Sequence, residues 1–161
     1  MNWDAIGAIG EIVGALAVVV SLGYLASQIR IQNRESRLNA MHDIAVGYRD
    51  TLATIADESV AELLDKSIED YSSLSQAETL RIIAVVSRLF RVWEEAYLLY
   101  EEGRLDDRMW QPMIRQFNGY LSVNGFTEVW ALRKQYFDSG FREFVDNMER
   151  EEYVFELPAD A

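Results

Sequence analysis

The chain lacks cysteine altogether and contains a single histidine and two prolines. Without cysteine it can form no disulfide and no zinc–thiolate site, and it offers no thiol nucleophile. The lone His42 has no second histidine at metal-ligand spacing, so neither a metal site nor a cofactor is expected. The sequence also contains no G-x-S-x-G, P-loop or H-E-x-x-H pattern. These absences predict a protein that is not an enzyme and has no catalytic, cofactor-binding or metal-binding residues.

Positive charge is scarce, and the charge is distributed unevenly along the chain. The net charge is -12, with 15 Lys and Arg against 27 Asp and Glu. Residues 28–49 are nevertheless locally basic, with four arginines against Glu35 and Asp43. The acidic remainder argues against a nucleic-acid partner, because phosphate binding requires a basic surface. A plainer explanation of the acidic excess is solubility near an anionic membrane.

Two pairs of adjacent glutamates, Glu94–Glu95 and Glu101–Glu102, raise the question of carboxylate chemistry. Adjacent residues on a helix point in different directions, so neither pair predicts a catalytic dyad. Arg91 precedes Glu95 by four residues, which favours an ordinary ion pair on a helix surface.

A long apolar run extends from Ala5 to Ala26, and Glu11 is its one charged residue. At about 1.5 Å per residue the run forms a helix of roughly 33 Å, enough to cross a hydrocarbon core of about 30 Å. A buried core helix is a weaker interpretation, because the run has no polar face. A cleaved signal peptide would carry positive charge before the apolar run, and Met1 to Asp4 contain none. The sequence therefore predicts one transmembrane helix.

Arginines follow the apolar run and predict its orientation. Arg30, Arg34 and Arg37 lie after it, whereas no Lys or Arg precedes it. By the positive-inside rule the N-terminus is outside and the C-terminal part is cytoplasmic. Trp3 and Tyr24 lie near the two ends, where amphipathic rings anchor at the interface. We therefore expect a single-pass inner-membrane protein with the lipid bilayer as a partner and the three arginines at the membrane surface.

Small residues recur along one side of the predicted span. They alternate at spacings of three and four, which puts them on one helix face, and they are Gly7, Gly10, Gly14, Ala17 and Ser21. We refer to these five as the small-residue face. Gly10 to Gly14 is a G-x-x-x-G element, and small residues let two membrane helices approach closely. Glycine is common in membrane helices generally, but five small residues in register favour self-association as a homo-oligomer.

Glu11 lies within the span, beside the small-residue face. An isolated carboxylate facing lipid is costly, so this side chain is expected to face protein or water. In a homo-oligomer it would form a ring, serving as a cation site, a proton-linked switch or a hydrogen-bonded interface. The alternative is a protonated Glu11 near the outer interface that extends toward the headgroups.

The fold class predicted for the whole chain is all-α, because no strand-like alternation and no repeat is visible. We expect a single N-terminal transmembrane helix that continues into a cytoplasmic bundle of about five helices. The predicted segments are a transmembrane anchor (1–27), a juxtamembrane helix (28–57), a cytoplasmic helical domain (58–150) and an acidic tail (151–161).

Caps and breaks delimit the expected helices of the domain. Ser75 and Glu78 form a capping box, and Gly103 is suited to the position after a helix end. Pro112 either bends its helix or marks the first turn. The expected helices are Val60 to Tyr71, one from Ser75 to about Glu102, one starting near Asp106 or Asp107, Thr127 to Phe137, and one from Asp138 or Ser139 to about Glu151.

Two apolar stripes are expected to be buried. The stripe of the juxtamembrane helix spans fewer than three heptads, which does not distinguish a coiled coil from core packing. Its members are Leu38, Met41, Ala45, Tyr48, Leu52 and Ile55. The second stripe is aromatic and is typical of a core rather than a cofactor site; its members are Ile83, Val86, Phe90, Trp93, Tyr97 and Tyr100.

Several segments along the chain carry a resemblance: residues 3–14, 24–26 and 28–30, then 95–97, 100–103 and 105–106 with Trp110, and finally 125–130 and 141–146. Together they resemble a family of short bacterial proteins that have one N-terminal transmembrane helix and a cytoplasmic helical domain. The resemblance covers most of the chain and implies the same single-span architecture. The family has no assigned function, so no site residue is carried over from it.

The sequence favours a membrane-tethered, self-associating helical module that binds or organises an unidentified protein partner at the inner membrane surface. The alternative is a homo-oligomeric ion-conducting channel with residues 5–26 as the pore helix and Glu11 near the pore. The orientation of Glu11 distinguishes the two, because a pore requires this side chain to face a central axis. A tether tolerates a dimer without a lumen.

Overall fold

A computed structural model describes residues 3–150, although not the side chains of residues 4–6. The expected acidic tail at 151–161 lies outside the described residues. No strand occurs within residues 3–150, so the all-α prediction is confirmed. The helices are α1 (Trp3–Ile55), α2 (Glu58–Glu69), α3 (Gln76–Glu101), α4 (Asp107–Leu121), α5 (Asn124–Arg133) and α6 (Ser139–Asp146), with short 3₁₀ turns at Tyr71–Ser73 and Lys134–Tyr136.

The chain divides into two units, one ending at Asn39 and the other beginning at Ala40. The described part of the first unit is helical throughout. The second contains the remainder of α1 and helices α2–α6 around one hydrophobic core. The prediction that the apolar helix continues without a break is confirmed, because α1 extends to Ile55.

Helix α3 supplies the centre of the core in the second unit. Phe90 and Trp93 are fully buried, and the predicted aromatic stripe is therefore confirmed as core. The ring of Trp93 lies 4.0 Å from that of Phe117 on α4, and the ring of Phe90 lies 4.9 Å from that of Trp130 on α5. These rings connect three helices through one aromatic cluster.

Local capping signals define both ends of α3. The capping box is confirmed: the Ser75 hydroxyl accepts from the Glu78 backbone N–H at 3.3 Å, and Glu78 Oε2 accepts from the Ser75 N–H at 2.7 Å. Gly103 follows the C-terminal end with a φ of 67°, a left-handed conformation that favours glycine. Both ends were predictable because each depends on residues within one turn.

Several predicted boundaries are wrong. Helix α2 begins before Val60, since Asp57 caps it by accepting from the Ser59 N–H at 3.1 Å. It ends at Glu69, before the predicted Tyr71. The predicted start of α4 near Asp106 or Asp107 is confirmed, since Asp106 caps that helix by accepting from the Arg108 N–H at 2.9 Å. Pro112 therefore lies inside the helix and not in its first turn.

The C-terminal boundaries also differ from prediction. Helix α5 begins at Asn124 rather than Thr127 and ends at Arg133 rather than Phe137. Gly125 lies inside this helix and packs closely against Ser67 of α2. The residue there is glycine because a Cβ would lie 2.5 Å from the Ser67 hydroxyl oxygen. Gly125 is therefore a site of close packing between α5 and α2. Helix α6 ends at Asp146, short of the predicted Glu151.

The buried face of α1 in the second unit differs from the predicted stripe. Ala40, Ile44 and Thr51 are its buried residues, whereas Leu52 of the predicted stripe is 42% exposed. In the first unit, Leu38 is 54% exposed. Met41, Tyr48 and Ile55 of the predicted stripe are half-buried against the core. The predicted stripe is therefore wrong for Leu38 and Leu52. The side of α1 that faces the core is rotated around the helix axis relative to that stripe.

Candidate membrane-spanning and self-association surface

The N-terminal part of α1 presents a continuous apolar surface. Every residue from Gly7 to Ser27 is exposed, and Val20 is 70% exposed. Within residues 3–150, α1 alone is long and apolar enough to cross a membrane, and none of its apolar window is buried by the rest of the chain. Burying such a surface is favourable in proportion to its area. By its length and composition this segment could cross a membrane.

Among the described residues, nothing packs closely against the glycines of the small-residue face. A Cβ built at Gly7, Gly10 or Gly14 would meet no atom within 4 Å. Glycine inside a helix costs about 1 kcal/mol relative to alanine, so an intrachain contact would be needed to justify it. Gly125 has such a contact, with Ser67. The described chain provides no equivalent for the three glycines near the N-terminus.

The small-residue face and Glu11 lie close together around the helix. At about 100° per residue, the five small residues fall within an arc of about 80°. Glu11 is exposed and lies about 40° beyond the edge of that arc, next to Gly7. The structure thus brings the five predicted residues to one side of α1 and leaves Glu11 beside them.

Arg30, Arg34 and Arg37, here called the arginine row, are all exposed. They fall within an arc of about 60° around α1, at about 100° per residue. Along the axis they lie about 6, 12 and 16 Å beyond Ala26 at about 1.5 Å per residue. No ion pair among the described residues includes any of them. Their charges are available to an external partner.

One buried carboxylate in the second unit was missed by sequence reasoning. Glu94 Oε1 accepts from the Asp138 backbone N–H at 2.6 Å, and Oε2 accepts from the Arg91 guanidinium at 2.5 Å. Arg91 also donates to the Tyr136 carbonyl at 2.8 Å and lies 4.2 Å above the centre of the Phe137 ring. These contacts hold α3 against residues 136–138, which precede α6.

The predicted ion pair between Arg91 and Glu95 is wrong, since Arg91 pairs with Glu94 three residues on. Glu94 is 9% exposed, whereas Glu95 is exposed, so the two carboxylates point in different directions as expected. The signal for burial was present in the sequence, because Glu94 lies one turn after the buried Phe90.

Two surface clefts occur in the second unit. The first, of about 440 Å³, is lined by Ser59, Glu62, Leu63, Lys66, Ala77, Glu78 and Arg81. Both of its cations are engaged: Lys66 lies 2.9 Å from Glu78, and Arg81 donates to the Ser59 hydroxyl at 2.6 Å. The second, of about 410 Å³, is lined by Tyr97, Gly140, Glu143, Phe144, Asn147 and Met148. The Ser59 hydroxyl in the first cleft also donates to Asp57 Oδ1 at 2.5 Å, as part of the cap of α2.

No group of three or more metal-ligating side chains occurs among the described residues, and His42 is exposed. No family model matches this chain. No curated protein and no solved structure matches it either. The resemblance to the bacterial family stays a prediction, and function has to be argued from the surface of α1.

Proposed function

We propose that this protein is a membrane-tethered, self-associating helical module that binds or organises a protein partner at the inner membrane surface. The tether is the apolar N-terminal part of α1, and the helical bundle is the part that meets the partner. The arginine row would lie at the cytoplasmic surface, with the N-terminus outside.

The observation that carries this proposal is the alignment of Gly7, Gly10 and Gly14 on one side of α1, where a Cβ built at any of them meets no atom of the described chain within 4 Å. Aligned glycines on an exposed apolar helix fit the close approach of a second helix. Helix association in lipid depends on such close packing, because lipid tails remove the hydrophobic drive between helices. A tether alone would need no glycine at these positions.

The proposal is tested by filling the small-residue face. Gly10→Leu and Gly14→Leu should each reduce the oligomer fraction measured by chemical crosslinking and size analysis in detergent, because the added side chains hold the backbones apart. Val19→Leu is the matched control, since Val19 is 65% exposed and lies on the opposite side of the helix. Equal crosslinking of all three variants and the parent would reject this face as the interface.

The same measurement separates the tether from a channel. A dimer encloses no lumen, whereas a larger ring could place Glu11 around a central axis. The exposed Glu11 beside the small-residue face is the feature on which a channel would depend. A dimer, or a larger assembly without cation conductance in reconstituted bilayers, supports the tether. Conductance that is lost in Glu11→Gln supports the channel instead.

A further inference from the structure

We infer that the self-association face continues beyond the span, and that residues 24–38 of α1 pair with the same residues of a second copy as a short parallel coiled coil. This inference rests on the proposed function, because a shared membrane anchor is what holds two copies parallel and in register. It assigns a partner to an exposed part of the first unit that the small-residue face does not include.

The spacing of residues supports a continuous seam. The alternation of three and four residues that defines the small-residue face continues without interruption, and its next members are Tyr24, Gln28, Ile31, Glu35 and Leu38. Such a repeat has a period of seven, which is the pattern of a left-handed two-helix seam. Tyr24, Ile31 and Leu38 form one row of that seam.

The exposure of this row shows that the described chain does not cover it. Tyr24 is 67% exposed, Ile31 47% and Leu38 54%. Leu38 lies about 18 Å beyond Ala26, whereas the headgroup layer adds only about 5 to 8 Å to the hydrocarbon core on each side. Lipid therefore cannot cover Leu38, and a protein surface is the remaining apolar cover.

Charge favours a second copy as that surface. In a parallel pair Arg34 occupies the position that flanks the seam, next to Glu35 of the second copy. This pairing would offset the repulsion between two facing Glu35 carboxylates. Arg30 and Arg37 lie outside the seam.

The absence of cysteine permits a direct test, because any single introduced cysteine is the sole thiol. Ile31→Cys and Leu38→Cys should form disulfide-linked dimers in membranes under mild oxidation. Ile29→Cys is the matched control: Ile29 is 50% exposed, about as much as Ile31, and lies about 160° away around the helix. We expect severalfold more dimer from the two seam variants than from the control.

Gly14→Cys separates this inference from the proposed function. Crosslinking at Gly14 together with yields at Ile31 and Leu38 no higher than at Ile29 would overturn the seam and leave self-association through the span intact. No crosslinking at any of the four positions would remove self-association altogether.

The charge pairing has its own test in the Leu38→Cys background. Arg34→Glu should lower the dimer yield severalfold, because it places like charges next to each other across the seam. Combining Arg34→Glu with Glu35→Arg should restore the yield. A yield that Arg34→Glu leaves unchanged would overturn the parallel register.

Discussion

At the scale of single residues, the buried carboxylate of Glu94 connects α3 with the segment before α6. One carboxylate oxygen accepts from the Arg91 guanidinium, and the other accepts from the Asp138 backbone N–H. The same side chain therefore forms an ion pair on α3 and a hydrogen bond to the segment before α6. A buried polar group left without its partner costs more than the hydrogen bond itself contributes. The arrangement therefore depends on this carboxylate being present.

Glu94→Ala should lower the free energy of unfolding by about 1–3 kcal/mol, because the Asp138 N–H loses its acceptor. Denaturant unfolding of the full chain in detergent, followed by tryptophan fluorescence, would measure this. Glu95→Ala is the matched control and should change stability by less than about 0.5 kcal/mol, since Glu95 is exposed. Identical midpoints for the two variants would contradict the assigned role of Glu94.

At the scale of elements, the start of α3 couples local capping to packing against α2. Lys66 on α2 lies 2.9 Å from Glu78, the same carboxylate that completes the capping box with Ser75. The hydrogen bond from Lys66, followed by those from Ser75, lowers the pKa of Glu78 from 4.5 to about 2. The folded protein therefore favours the ionised carboxylate more than the unfolded chain does.

This lowered pKa predicts a pH dependence of stability. The contribution of Glu78 is fully present above pH 4.5 and is lost as the pH falls toward about 2. Glu78→Gln should therefore flatten the decline in thermal stability across that window. Lys66→Met should flatten it too, because it removes the largest cause of the shift. Parallel curves for Glu78→Gln and the parent would contradict the coupling.

The elements also show what sequence could predict and what it could not. The ends of α3 were predictable because a capping box and a glycine act within one turn. The buried side of α1 was not predictable from the sequence. Both the predicted stripe and the set that is buried, which includes Ala40, Ile44 and Thr51, fit a spacing of three and four residues. Close packing decided between them: a Cβ at Gly47 would lie 3.2 Å from a methyl group of Val92 on α3. Thr51 fits there because its hydroxyl donates to the Gly47 carbonyl at 2.8 Å.

Among the residues of the candidate site and of the bundle, some could also be predicted from the sequence and others could not. The small-residue face could be derived from spacing alone, because one straight helix determines which residues share a side. The burial of Glu94 was indicated by its place one turn after Phe90, but its hydrogen bond from the distant Asp138 backbone N–H was not. A contact between segments far apart in the chain leaves no periodic signal in the sequence.

At the scale of the whole molecule, charge is distributed unevenly along the chain. The arginine row lies directly after the apolar run, while the chain as a whole has a net charge of -12. Positive residues next to a span are retained on the cytoplasmic side, and acidic residues contribute little to orientation. The proposed topology therefore depends on three side chains and not on the net charge.

A reporter enzyme active only in the periplasm, fused after Ala161, should stay silent when the protein is expressed in a bacterium. Replacing Arg30, Arg34 and Arg37 together by glutamine should raise its activity, because the orienting charge is gone. A fluorescent reporter that matures only in the cytoplasm, at the same fusion point, provides the complementary readout. Strong periplasmic activity from the parent fusion would reject the N-out assignment.

The burial of the tryptophans has a spectroscopic consequence. Trp93, Trp110 and Trp130 are at most 3% exposed, whereas Trp3 is 71% exposed. Acrylamide or iodide in solution, and brominated acyl chains in a bilayer, can therefore quench Trp3 while the other three indoles stay shielded. The quenchable part of the native emission would measure the depth of the N-terminal segment in a bilayer. The shielded part would report folding of the bundle, so one unlabelled sample yields both signals.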